Sequence, residues 1–123
     1  MAGAAALEDG LIVRIWRGQA TIENAGAYVR HVTGTVFPSL AEIRGHRGAY
    51  LLQRQTAGRI EFLALTVWES VDAIRAFAGS DVEAAVVEPE ARAVLAEFDS
   101  FSRHYELVHA GACEGTNRMP GRP

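Results

Sequence analysis

Two short stretches place residues with useful chemistry on strand faces. In "IVRIWRG" (12–18), Arg14 and Trp16 stand two positions apart. In an extended chain that spacing puts both side chains on one face. A guanidinium beside an indole suits a flat, acidic or phenolic ligand, because the cation holds the oxygen and the ring covers the plane. The alternative is an arginine that salt-bridges at a rim. In "LTVWES" (65–70), Thr66 and Trp68 share a face in the same way, with Phe62 and Ala64 further along it. Trp68 stands where a strand pattern hands over to a helix pattern, so it either plugs a core or walls a pocket. "SRHYEL" (102–107) supplies His104. A histidine there can serve as a general base or as a hydrogen-bonded structural residue. It alternates with Tyr105, so only one of the two faces inward.

The other chemically able residues are less informative. His31 lies one helical turn after Tyr28, where a solvent-facing side chain is expected. His46 lies in a glycine loop and could edge a pocket mouth. Cys113 has no basic neighbour to activate it. Glu83, Glu88, Glu90 and Glu97 read as a solvated helix face. No Cys/His set has metal-ligand spacing, so no metal is expected. No phosphate-cradling glycine loop follows a strand.

The elements that must position these residues follow from periodicity. "LIVRIWRG" (11–18) is a strand apolar on both faces. Thr21 is placed to cap a helix whose apolar positions are Ile22, Ala25, Val29, Val32 and Val36, with Tyr28 beside them. Pro38 limits that helix. Residues 42–48 form a loop, 49–55 a second strand, 56–59 a turn and 60–69 a third strand, which together make an antiparallel hairpin. Ser70 caps the next helix, whose inner face is Val71, Ile74 and Phe77 and which Gly79 ends. Ser80 with Glu83 suggests a capping box for a further short helix, and Pro89 opens another. Residues 98–108 alternate as a last strand.

The order strand, helix, strand, strand, helix, strand predicts an α+β, ferredoxin-like split βαβ fold with a four-stranded antiparallel sheet. Helices can cover only one face of that sheet. The third strand carries Leu63, Leu65 and Val67 on one face and Phe62, Ala64, Thr66 and Trp68 on the other, so both faces want cover. A second copy of the sheet is the simplest cover for the uncovered face, so a homodimer is expected.

With 123 residues, 49% of them apolar and 22% charged, the chain suits one globular domain. We expect a domain over 11–109, with flexible segments at 1–10 and 110–123. The net charge of −3 and the lack of a basic stripe argue against nucleic acid. No apolar run reaches the ~20 residues of a membrane span. One cysteine and no signal-peptide pattern fit a cytoplasmic setting.

The series "FLALTVWESVDAIRAFAGSDVEAAVVEPEARAVLAEFDSFSRHYEL" resembles the antibiotic biosynthesis monooxygenase (ABM) family. The marks are strand-Trp-Glu-Ser, a helix ending in Phe-Ala-Gly-x-Asp, and a final strand with His-Tyr-Glu. The likeness extends back through "RGHRGAYLLQR" to "IVRIWRG" and covers roughly 11–108. It implies a dimeric α/β barrel with a pocket between sheet and helices or along the barrel interior. It also implies that some relatives oxidise aromatic polyketides to quinones without metal or flavin, and that others, related by fold, degrade haem. The quinone-forming pattern has an asparagine where this chain has Ala64 and a tyrosine where it has Ile74; only Trp68 is kept. The haem-degrading pattern needs a histidine where this chain has Val87, a tryptophan where it has Phe77, and an asparagine near Trp16.

The expectation is therefore a small cofactor-independent monooxygenase-like enzyme acting on a hydrophobic aromatic or polyketide-type molecule. His104 would be its base, Arg14 its oxyanion partner, and Trp16, Tyr28, Phe62, Thr66, Trp68 and Phe77 would touch substrate. The alternatives are a non-catalytic dimeric ligand-binding or interaction module, and a cyclase or isomerase on the same scaffold.

Overall fold

The computed structural model describes residues 10–111. Strand β1 (Ile12–Thr21) leads into helix α1 (Ile22–His31), a π-helical turn (Val32–Val36) and helix α2 (Phe37–Leu40). Strands β2 (His46–Thr56) and β3 (Arg59–Trp68) form the hairpin. Helix α3 (Val71–Ala78), helix α4 (Pro89–Val94), strand β4 (Glu97–Phe98) and strand β5 (Arg103–Glu106) complete the order. The antiparallel sheet runs β2-β3-β1, and both β4 and β5 pair with the far edge of β1. The fold is the expected α+β, ferredoxin-like one.

Local chemistry sets most boundaries. Thr21 caps α1 by accepting from the Asn24 N–H, and Ser70 caps α3 by accepting from the Ala73 N–H. Gly79, at φ +89°, ends α3. Ala57 and Gly58 both have positive φ, which gives a two-residue hairpin turn of the twist-matched kind. Pro38 does not stop the first helical stretch. It sits in the first turn of α2, after a turn in which the Phe37 N–H reaches back five residues to the Val32 carbonyl. Proline has no N–H for the carbonyl of Gly34 and would crowd it; the wider turn relieves both.

Three further expectations need correction. Residues 98–108 are not one strand. Gly18 faces Phe98, whereas Ile15 faces Arg103, so three steps on β1 span five on the last segment. The segment carries two extra residues there, and Phe101 bridges to Ala84 instead. Ser80 and Glu83 cap no helix, because the Asp81 carboxylate accepts the Glu83 N–H and holds a turn. Val71 does not face inward but is 39% exposed, leaving Ile74 as the fully enclosed anchor of α3.

Register divides the sheet cleanly. Ile12, Arg14, Trp16 and Gly18 pair with Trp68, Thr66, Ala64 and Phe62, and this face carries the helices. Two buried clusters lie beneath them. One gathers Ala20, Tyr28, Val32, Phe62 and Ala91; the other gathers Leu40, Trp68 and Ile74. Each large enclosed side chain contributes roughly 1.5–3 kcal/mol. The other face presents Val13, Ile15, Leu63, Leu65, Val67, Tyr50 and Leu52. Tyr50 and Leu52 are 59% and 48% exposed. At one end of this face Glu61 bridges Arg17 and Arg54, which holds its carboxyl below the usual carboxylate range. No helix among the described residues is long and apolar enough to cross a membrane.

Candidate functional site

Between the two buried clusters the helices and sheet part to leave a cavity of about 80 Å³. Its floor is Arg14, Trp16, Ala64 and Thr66. The first helical stretch supplies Tyr28, His31, Val32, Val36, Phe37 and Leu40, and α3 supplies Phe77. Val86, Val87, Glu88, Ala91 and Ser102 close the remaining side. The π-helical turn is thus part of the wall, as such turns often are at functional sites.

Each wall residue is fixed by its neighbours. The Trp16 indole lies over Gly18, and its Nε1–H donates to the Asp99 carbonyl at 2.8 Å. Gly18 is needed there: a Cβ would stand 2.8 Å from the indole Cη2. The indole tilts against Tyr28 and Phe98. Tyr28 packs on Phe62 with ring centroids 4.7 Å apart. Burial pushes the Tyr28 phenol above its usual range, so it remains a proton donor.

Arg14 is the unusual group. It is 4% exposed, yet no carboxylate pairs with it among the described residues. Nη1 donates to the Val82 carbonyl and to His104 Nε2 (2.9 Å), and Nη2 to the Ala84 carbonyl at 2.8 Å. The Phe77 ring lies 5.7 Å from the guanidinium carbon. Burial lowers the Arg14 pKa from its usual range. Three of five donors are engaged by uncharged acceptors, which leaves two for an anion.

His104 pairs directly across from Arg14, which settles that it, and not Tyr105, lies on the helix-bearing face. Arginine can only donate, so Nε2 accepts and the ring proton sits on Nδ1. Burial first, then the Arg14 charge, hold its pKa below the usual range, against a smaller opposing effect of Glu83. His104 does not line the cavity. It lines an open groove with Glu83 and residues 98–105, and Arg14 stands between the two spaces.

Two expected wall residues lie elsewhere. Trp68 and Phe62 share the face of Thr66 but are fully enclosed and do not reach the cavity. The Trp68 N–H donates to the Thr66 hydroxyl at 2.8 Å, and its ring stacks on Phe77 with centroids 6.1 Å apart. His46 begins strand β2 rather than lying in a loop, meets the edge of Trp68 at 5.0 Å and does not line this cavity; burial lowers its pKa. Arg14, Trp16, Tyr28, Thr66 and Phe77 do come together around the cavity. Cys113 lies outside the described residues.

Two further wall residues, His31 and Glu88, were expected to face solvent. The His31 side chain is only 11% exposed. Its Nε2 lies 3.3 Å from Glu88 Oε1, a close approach that lacks hydrogen-bond geometry. Their one sequence signal is the helical offset that stacks His31 beside Tyr28. With Glu90 they bring three possible ligand atoms within 4.8 Å of one another, but Glu90 is exposed, and such groups are common without an ion.

Solved structures support the architecture. A Bacillus cereus protein assigned to the antibiotic biosynthesis monooxygenases superposes with a TM-score of 0.60 at 16% identity, over 84% of this chain and 98% of that one. SnoaB from Streptomyces nogalater, a cofactor-independent oxygenase solved as an asparagine-to-alanine mutant, gives 0.52 at 21% identity, over 78% and 89%. The Streptomyces coelicolor monooxygenase from the gene ActVA-Orf6, solved with nanaomycin D, gives 0.52 at 18% identity, over 88% and 94%. Among curated protein sequences none matches this chain. The family model for antibiotic biosynthesis monooxygenase matches residues 11–89, most of the folded domain, and the chain belongs to that family.

Proposed function

We propose that the protein is a cofactor-independent monooxygenase acting on an aromatic, polyketide-type small molecule. The observation that carries this is Arg14: a buried cation with no acid partner and two unused donors among the described residues, set in an apolar aromatic wall. A phenolate or enolate oxygen is the charge it lacks. In such a site a developing oxyanion gains far more than in water. Trp16, Tyr28, Thr66 and Phe77 would seat the ring, and His104 would hold the guanidinium in position. The electrons would come from the substrate. For anthrone, a methylene becomes a carbonyl; one oxygen atom of O₂ enters the product and the other leaves as water with the two hydrogens.

Size sets a condition. A cavity of about 80 Å³ is smaller than the ~150 Å³ that holds a benzene. A polycyclic substrate must therefore spread the walls. Residues 79–88, which hold no helix or strand beyond one bridge, are the side with least to lose. We propose further that the apolar outer face is covered by the same face of a second subunit.

The test is oxygen uptake with anthrone or a dihydroxynaphthalene under air, with chelator present. The parent should consume oxygen and release quinone, and Arg14→Gln should lose most of that rate. A second reading, a non-catalytic dimeric ligand-binding module, is favoured by the small cavity and by Ala64 and Ile74. Tight binding of both compounds without oxygen uptake would establish it.

A further inference from the structure

An oxygenase of this kind needs a proton acceptor that faces its substrate, and the polar wall groups can be taken in turn. Arg14 is a fixed cation without a lone pair. The Tyr28 phenol is held protonated by burial. The Thr66 hydroxyl oxygen already accepts from Trp68, and neither it nor the Ser102 hydroxyl is a base at neutral pH. The Trp16 N–H is given to Asp99. His104 is off the cavity, with Nε2 occupied by Arg14.

His31 and Glu88 remain, brought from α1 and from the start of α4 to the same wall. His31 Nε2 is enclosed and has no hydrogen-bond partner among the described residues, and the Glu88 carboxylate stands 3.3 Å away. We propose that His31, with Glu88 beside it, is the proton acceptor of this site, an assignment that rests on the oxygenase reading for its biological meaning. In the step the phenolic O–H breaks, an imidazole nitrogen gains the proton, and the electron pair stays on the phenolate oxygen. The Glu88 carboxylate stands against the imidazole that takes the proton, and Arg14 favours the phenolate. Once O₂ has been reduced, the proton goes to the oxygen that leaves as water.

Proton transfer can be read without turnover. Para-nitrophenol is coloured as the phenolate, so its bound form reports its charge under nitrogen, with chelator, at a pH where the free compound is mainly phenol. The parent should draw bound para-nitrophenol toward the phenolate. His31→Gln should lower the ratio of bound phenolate to phenol roughly tenfold, the change one pKa unit in the ligand makes, and Glu88→Gln should lower it less. His46→Gln, at a histidine that does not line the cavity, should leave it in place. In air with anthrone, His31→Ala should lose turnover by about 10²–10⁴, in the range for general base removal, and added imidazole should restore part of it. Glu88 is exposed enough for its variant to fold even if the His31 variants do not. A parent without the phenolate shift, or His31 and Glu88 variants that keep it, would overturn the assignment. A parent that shows the shift but takes up no oxygen sinks the oxygenase reading alone and leaves His31 as the acceptor.

Discussion

Trp68 shows how a residue can matter to a cavity it does not line. Its ring closes the core beneath α3, and its N–H fixes the Thr66 hydroxyl that does reach the cavity. Trp68→Phe keeps most of the packing but loses that bond and some volume. It should destabilise by about 1–2 kcal/mol and leave affinity for flat aromatic ligands within roughly twofold, the scale of a few tenths of a kcal/mol. Trp68→Ala should cost about 3–5 kcal/mol. Thermal melts and ligand quenching of the remaining Trp16 check this together. A Trp68→Phe variant with a parental melt and tenfold weaker binding would put the indole back in the wall. The Arg14–His104 contact is likewise indirect: a histidine with its pKa held low is a dependable acceptor for an arginine that must stay put.

At the scale of elements, small irregularities make the space. The two-residue slip between β4 and β5 releases Asp99, whose carbonyl then takes the Trp16 indole. The π-helical turn swings Val32 and Val36 over the sheet. On β1, Gly18 leaves room for the ring two residues earlier. Gly18→Ala should force the indole either off Asp99 or into the cavity. The expected loss is about 1–3 kcal/mol, as for other overpacked sites, with a shift in Trp16 fluorescence and weaker aromatic binding. An unchanged melt and emission spectrum would mean that the ring has slack the packing does not suggest.

For the whole molecule, the uncovered sheet face is the dominant feature. Tyr50 and Leu52 stand exposed beside Leu63, Leu65, Val67, Val13 and Ile15, an area of contiguous apolar surface that monomers rarely leave in water. The charged end at Glu61, Arg17 and Arg54 would mark the rim of an interface between two copies. Sedimentation should give twice 13.3 kDa at micromolar concentration. Leu52→Glu, which places a charge in the middle of that face, should shift the equilibrium to monomer without unfolding the helix-covered side. A parent that sediments as a monomer and binds no hydrophobic dye would remove the case for sheet-on-sheet pairing.

The sequence alone determined what depends on near neighbours and on period. Thr21, Ser70 and Gly79 announce helix ends because capping is a matter of a few adjacent atoms. Alternation put Arg14 and Trp16 on one face, and Ala64 and Thr66 on another, and pairing showed the two faces to be the same one. Period two gives a face but not a depth. Phe62, Thr66 and Trp68 are equivalent in the pattern, yet only Thr66 reaches the cavity, because helices cover the sheet unevenly. Alternation likewise left His104 and Tyr105 open until pairing with Arg14 chose between them. His31 and Glu88 were the least legible. They are distant in sequence, and Glu88 lies among acids that look like any solvated face; only the packing of α4 against α1 sets a carboxylate beside an enclosed imidazole.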